Sequence, residues 1–268
     1  MNSLIGLLVG AIAGLHIATW GMYKDAPHEG FNAARFSRSI FVGAFAGALL
    51  AQLPGVRPGA GGLLVLFGLS YVAERAVTEF WKTFLRTEDQ SKYFIPMQFH
   101  ILGRVVHSRV ARAAAGAAAV AVGLCLLIAA DAFVDAGRQL PRLLLVGIVG
   151  SLGGWYSAVG GASKDAPIEG FETLKFFRSP VVAALFALLL SPFEPDPIVI
   201  AFAALGFTIA TLETYKTFCF PSKPRGKFAG KLIHHPEMLI RRRLFAPIYA
   251  AIWVTLLASF LVGHVMSG

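Results

Sequence analysis

Apolar residues along this chain fall into blocks of roughly 20, separated by short polar stretches. A helix rises 1.5 Å per residue, so such a block matches the ~30 Å hydrocarbon layer of a bilayer. Eight blocks can be drawn: Ser3–Met22, Ser39–Leu53, Gly61–Phe84, Val110–Val134, Leu143–Gly161, Val181–Ser191, Ile198–Phe218 and Phe245–Met266. Turn-forming runs divide them, among them Pro54-Gly55-Val56-Arg57-Pro58-Gly59 and Pro192-Phe193-Glu194-Pro195-Asp196-Pro197. The first block has no basic segment before it and has an internal counterpart, so it reads as a spanning helix and not a signal peptide. The second and sixth blocks are short. Each follows a segment containing Asp-Ala-Pro, which predicts Asp25 and Asp165 as N-caps with Pro27 and Pro167 in the first turn. Helices begun there would run from Ala26 to Leu53 and from Ala166 to Ser191, long enough to cross.

The polar positions repeat. Lys24-Asp25-Ala26-Pro27-His28-Glu29-Gly30-Phe31 returns as Lys164-Asp165-Ala166-Pro167-Ile168-Glu169-Gly170-Phe171, and Phe36-Ser37-Arg38-Ser39 as Phe176-Phe177-Arg178-Ser179. Of 16 positions, 10 are identical, where chance supplies about one. A second block pairs Glu79-Phe80-Trp81-Lys82-Thr83-Phe84 with Glu213-Thr214-Tyr215-Lys216-Thr217-Phe218. A fainter third sets Lys92 opposite Lys227 and His100 opposite His235. The expected fold is an all-α polytopic membrane protein of two tandem four-helix repeats, residues 1–136 and 137–268. An even number of spans per unit gives both copies one orientation, with a pseudo-twofold axis along the membrane normal.

Charge agrees with this count. All but three of the 24 Lys and Arg residues fall on the side of the repeated motifs, the exceptions being Arg57, Arg138 and Arg142. The positive-inside rule then makes the motif loops cytoplasmic and puts both termini outside, in a plasma membrane of bacterial inner-membrane type. Composition excludes a soluble domain: 56% of the 268 residues are hydrophobic and the mean hydropathy is +0.66, above the usual 45–50% apolar share. The net charge of +9 lies between spans instead of on one helix face, which argues against nucleic acid. Cys125 and Cys219, far apart in sequence, form no disulfide framework or metal motif.

The chemistry available is ionic. Arg38 and Arg178, 13 residues past the expected caps, would lie roughly 20 Å along their helices and need a partner there. Glu79 and Glu213 are the acids expected to pair with them. Lys24, Asp25, Glu29, Lys164, Asp165 and Glu169 complete the repeated set. Structural salt bridges and a solute path are both served by such a pattern. Trp81 and Tyr215 read as interfacial anchors, Lys82 and Lys216 as snorkelling cations, and Arg241, Arg242 and Arg243, with Lys223 to Lys231, as contacts to anionic lipid. His100, His234 and His235 lack acidic or thiol neighbours at ligand spacing, so neither metal nor other cofactor is expected. Gly6, Gly10 and Gly14, like Gly150, Gly153 and Gly154, mark close helix packing.

No catalytic motif is present. These features favour a channel or transporter for a small solute or ion, its path lying between the repeats and lined by the repeated charges. A membrane-embedded enzyme acting on lipid or isoprenoid head groups and a non-catalytic subunit of a membrane complex are the alternatives. Expected partners are anionic head groups on the cytoplasmic side and a second copy or another membrane subunit.

Overall fold

A computed structural model describes residues 2–53, 56, 59–220 and 226–267. Arg57, Lys223 and Arg225 of the charge count lie outside the described residues, as does most of the turn from Pro54 to Gly59. Of the described residues 79% are helical, and among them eight helices are long and apolar enough to cross a membrane. They are α1 (Ser3–Glu29), α2 (Ala33–Leu50), α3 (Ala60–Phe80), α4 (Arg109–Ala136), α5 (Arg142–Glu169), α6 (Thr173–Leu190), α7 (Pro197–Phe218) and α9 (Ala246–Ser267), with the short α8 (Met238–Arg241) leading into the last. The α3–α4 connection carries a two-strand hairpin, β1 (His100–Ile101) and β2 (Arg104–Val105). Side-chain caps start several helices: Asn2 accepts from the Leu4 N–H at 2.9 Å, and Asp196 from Ile198 at 2.7 Å with Pro197 behind it.

The Asp-Ala-Pro segments are not helix starts. α1 runs unbroken through Lys24, Asp25 and Pro27 to Glu29, and α5 likewise through Lys164, Asp165 and Pro167 to Glu169. The following glycines stop them. Gly30 has φ +73° and ψ 173°, and Gly170 φ +85° and ψ 165°, a region open essentially to glycine alone. Each glycine N–H still closes on the alanine carbonyl of the motif, at 2.9 Å in the first half and 3.0 Å in the second. Only then do α2 and α6 begin, α2 capped by Asn32 on the Arg35 N–H. Arg38 therefore lies five residues into α2, roughly 8 Å along it, not deep within a long helix. Pro27 removes a donor from the last turn of α1. The Tyr23 carbonyl four residues back accepts from Arg242 at 3.3 Å instead.

The glycine faces pack as their spacing predicts. A side chain on Gly6, Gly10 or Gly14 would strike the backbone carbonyl of Gly47, Gly43 or Ser39 on α2. Gly154 meets the Ser179 carbonyl and Gly150 the Ala187 methyl, so α5 and α6 meet at matched positions. At the centre, Gly68 of α3 and Gly206 of α7 touch backbone to backbone. Around this crossing lies the core: Leu64 to Tyr71 of α3, Ile200 to Ala210 of α7, Ile17 and Trp20 of α1, and Tyr249, Ile252 and Leu256 of α9. α4 packs through Arg112 and Gly116 on the end of α3, but no part of its most apolar window is buried.

Candidate functional site

The repeated charges converge at one end of α1, α3, α5 and α7. Lys24 Nζ of α1 reaches Glu213 of α7 at 3.5 Å, which joins the two halves of the chain. Glu213 also takes Lys216, at 3.2 Å. On α3, Glu79 is held by Arg75 one turn earlier and by Lys82 at 3.1 Å. Lys164 of the second half acts on Glu79 electrostatically. Arg75 and Lys24 lie over the Trp20 ring, at 5.2 and 5.3 Å. Lys82 and Lys216, expected to snorkel outward, are thus turned into ion pairs with acids on their own helices.

Neither Arg38 nor Arg178 forms the expected ion pair with Glu79 or Glu213 among the described residues. Arg38 lies over the Trp81 ring at 5.6 Å, and Arg178 over the matched Tyr215 at 5.5 Å. Arg86 covers Trp81 as well, at 5.5 Å. A guanidinium stacks on an aromatic face at less desolvation than inside an ion pair, and Glu79 and Glu213 are already held by nearer cations. The acid that acts on Arg38 is Glu74, which sequence reasoning passed over.

Glu74 is fully buried, and one of its oxygens has no hydrogen-bond partner. Ser70, Glu74 and Thr78, spaced four apart, form one buried polar stripe on α3. The Thr78 hydroxyl donates to the Glu74 backbone carbonyl at 2.9 Å and approaches its carboxylate at 3.4 Å. Beyond Phe80 the helix widens into a π turn, Trp81–Leu85, a distortion common at functional sites. Beside this stripe lies a second buried group. Trp20 donates to the Tyr71 hydroxyl at 2.9 Å, which sits 3.2 Å from His16 Nδ1. His16 stacks on Tyr249 at 4.1 Å. Tyr249 and Trp253 of α9 both meet the Thr214 hydroxyl of α7, at 2.5 and 3.1 Å.

Two connections cover the motif end. Residues 86–108 place Glu88 against Arg86 (2.7 Å), Arg35 (3.3 Å), Lys92 and the Tyr93 hydroxyl (3.0 Å). Glu29 joins the same group through Arg35 (2.8 Å) and Lys92 (3.0 Å). Burial alone would raise the Glu88 carboxyl, but the Lys92 hydrogen bond and the Arg86 charge outweigh it and hold it below the ordinary carboxylate value. Residues 226–245 lie on the first motif: Lys227 pairs with Asp25 at 2.7 Å, and the His235 N–H donates to the Pro27 carbonyl at 3.0 Å. His100, matched to His235, sits with Nε2 3.1 Å from the Lys164 carbonyl of the second motif. There Lys175 holds both Asp165 (3.4 Å) and Glu169 (3.1 Å).

Of the residues expected at head groups, Trp81 and Tyr215 are partly exposed, Arg241 and Arg243 are exposed, and Arg242 folds back over Tyr23 at 4.4 Å. Among the described residues no three His, Cys, Asp or Glu side chains gather into a metal-holding set. Glu74 was visible as a charge inside an apolar block; its lack of a matched acid in the second half, where Thr208 stands, hid it from a search by repeat. Comparison with protein families, with curated proteins and with solved structures finds nothing that matches this chain.

Proposed function

We propose that this chain is a channel or transporter for a small solute or ion, built as two parallel four-helix units, residues 1–136 and 137–268. The observation that carries the reading is Glu74: a buried carboxylate with an unpartnered oxygen inside a membrane-spanning helix. Such a group is expensive in a bilayer and by default marks a pathway for ions, protons or polar solute. Ser70 and Thr78 continue the polar stripe above and below it, and Lys24, Arg75, Glu79, Lys82 and Glu213 lie at its motif end. The close contact of Gly68 with Gly206 closes the space between the units in this conformer. Opening would separate α3 from α7 while the motif ion pairs exchange partners.

Matched contacts support the parallel arrangement. Gly14 meets Ser39 as Gly154 meets Ser179, and Arg38 lies over Trp81 as Arg178 lies over Tyr215. The excess of Lys and Arg at the motif end supports a cytoplasmic placement of that end, in a bacterial plasma membrane.

Flux through proteoliposomes tests the function, with potassium, sodium, chloride and proton gradients imposed in turn. Wild-type protein should conduct at least one of them above empty liposomes, and Glu74→Gln should lower that flux about tenfold or more while still eluting as folded protein. Flux equal to empty liposomes under every gradient would overturn the reading.

A further inference from the structure

Arg38 and Arg178 hold matched positions with unmatched surroundings. The Glu74 charge acts on Arg38; the position matched to Glu74 is Thr208, which carries no charge. Arg178 makes no ion pair among the described residues, and its Nε is buried without a hydrogen-bond partner. Next to it a cleft of about 140 Å³ opens between α5, α6 and α7. That is roughly ten times the space a single water requires. Ser157, Lys175, Arg178, Ser179 and Lys216 line it with donors. Of its acids, Asp165 is engaged by Lys175 at 3.4 Å and Glu213 by Lys24 and Lys216, while Glu172 is exposed and makes no ion pair among the described residues. Arg178 is the cation left over.

The same place in the first half is filled. Met238 and Phe245 pack there on Met22, Ala26 and Phe36. Met22 is matched by Ala162 in the second half, and the smaller side chain leaves the space open.

We propose that this cleft binds a phosphate group, with the Arg178 guanidinium as its principal donor. The phosphate would supply to Arg178 the negative charge that Glu74 supplies to Arg38. Three cations and two hydroxyls offer more donors than a carboxylate can accept, and a guanidinium fork fits two phosphate oxygens at once. Phe171, exposed, and Phe176 also line the cleft, so an esterified phosphate with acyl chains is accommodated as readily as the free ion. The inference does not depend on the transport reading and is tested without flux.

The test is a thermal-shift titration of the detergent-purified chain with short-chain phosphatidic acid, inorganic phosphate, and a diacylglycerol of the same chain length. The expected result is a rise in Tm with phosphatidic acid whose apparent affinity falls about tenfold, or 1.4 kcal/mol, in Arg178→Gln and in Thr208→Glu. Arg38→Gln should leave it unchanged. Thr208→Glu supplies the missing acid and so competes with phosphate while the arginine stays in place. Lys175→Gln, at a half-exposed position that tolerates the change, should weaken binding severalfold. A response to phosphatidic acid alone assigns a lipid head group; an equal Arg178-dependent response to inorganic phosphate assigns the free anion. An equal shift with diacylglycerol, or a phosphate response untouched by all three second-half substitutions, would overturn the proposal.

Discussion

Lys24 and Glu213, 189 residues apart in sequence, meet at 3.5 Å and tie the third helix of the second half to the first helix of the chain. Both side chains are largely buried, so removing one partner strands a charge. Glu213→Gln should destabilise the protein by about 3 kcal/mol, because Lys24 and Lys216 both lose their acid. The double variant Lys24→Gln with Glu213→Gln should recover part of that loss. Thermal unfolding of the four proteins in the cycle measures the coupling, expected at about 1–3 kcal/mol; strictly additive losses would show that the pair is not coupled.

The α1–α2 contact has no room for a side chain. Gly10→Ala should disrupt it, since the new methyl collides with the Gly43 carbonyl and neither backbone can retreat without separating the helices. Gly21→Ala is the control: nothing lies within 4 Å of its Cβ position, and the better helix former should be neutral or stabilising by up to about 1 kcal/mol. Melting temperatures that fall for Gly10→Ala and hold or rise for Gly21→Ala would bear this out.

The two turn glycines should respond unequally. Gly30→Ala and Gly170→Ala meet the same backbone penalty, of order 1–3 kcal/mol, because φ is positive at both. Only Gly30 has a neighbour, the His235 ring at 3.2 Å. Gly30→Ala should therefore also loosen residues 226–245, detectable as faster proteolysis of that connection than in Gly170→Ala.

The α3–α4 connection should loosen in acid. Glu88 has a folded pKa below its unfolded value, near 4.3 for a free glutamate, so its contribution is complete above that pH. It is lost as pH falls through the lower folded value. Amide protection over residues 86–108, taken relative to the intrinsic exchange rate at each pH from 7 to 3, should fall in that acidic window in the wild type. In Glu88→Gln protection should already be low at pH 7 and change little below it.

All eight spans were legible in the sequence because a bilayer demands an unbroken apolar run, a constraint each segment meets alone. The glycine faces were legible for a similar reason: a spacing of four puts Gly6, Gly10 and Gly14 on one line. The helix starts were misread at Asp25 and Asp165, where Asp-Ala-Pro carries every local sign of an N-terminus. The decisive residue was Gly30 or Gly170 five positions later, whose φ is fixed by the tertiary path and not by its neighbours. The arginine partners were misread because the repeat directed the search to acids present in both halves. Glu74 occurs in one half only. The aromatic partners, Trp81 and Tyr215, were matched in sequence, and a stacked cation was open to inference from them.

The exposure of the apolar window of α4 bears on how the protein is made. The α4 span has the highest mean hydropathy of the eight, 2.4, and none of its most apolar window is buried. Its transfer from translocon to lipid is thus favourable without any other helix present. α3 carries Glu74 and Arg75 and lacks that independence; part of the shelter of Arg75 comes from Glu213 of α7, which is synthesised later. α4 can anchor the nascent first half in the bilayer while α3 remains poorly shielded, so that the late helices complete a bundle whose early members are already threaded in the correct sense.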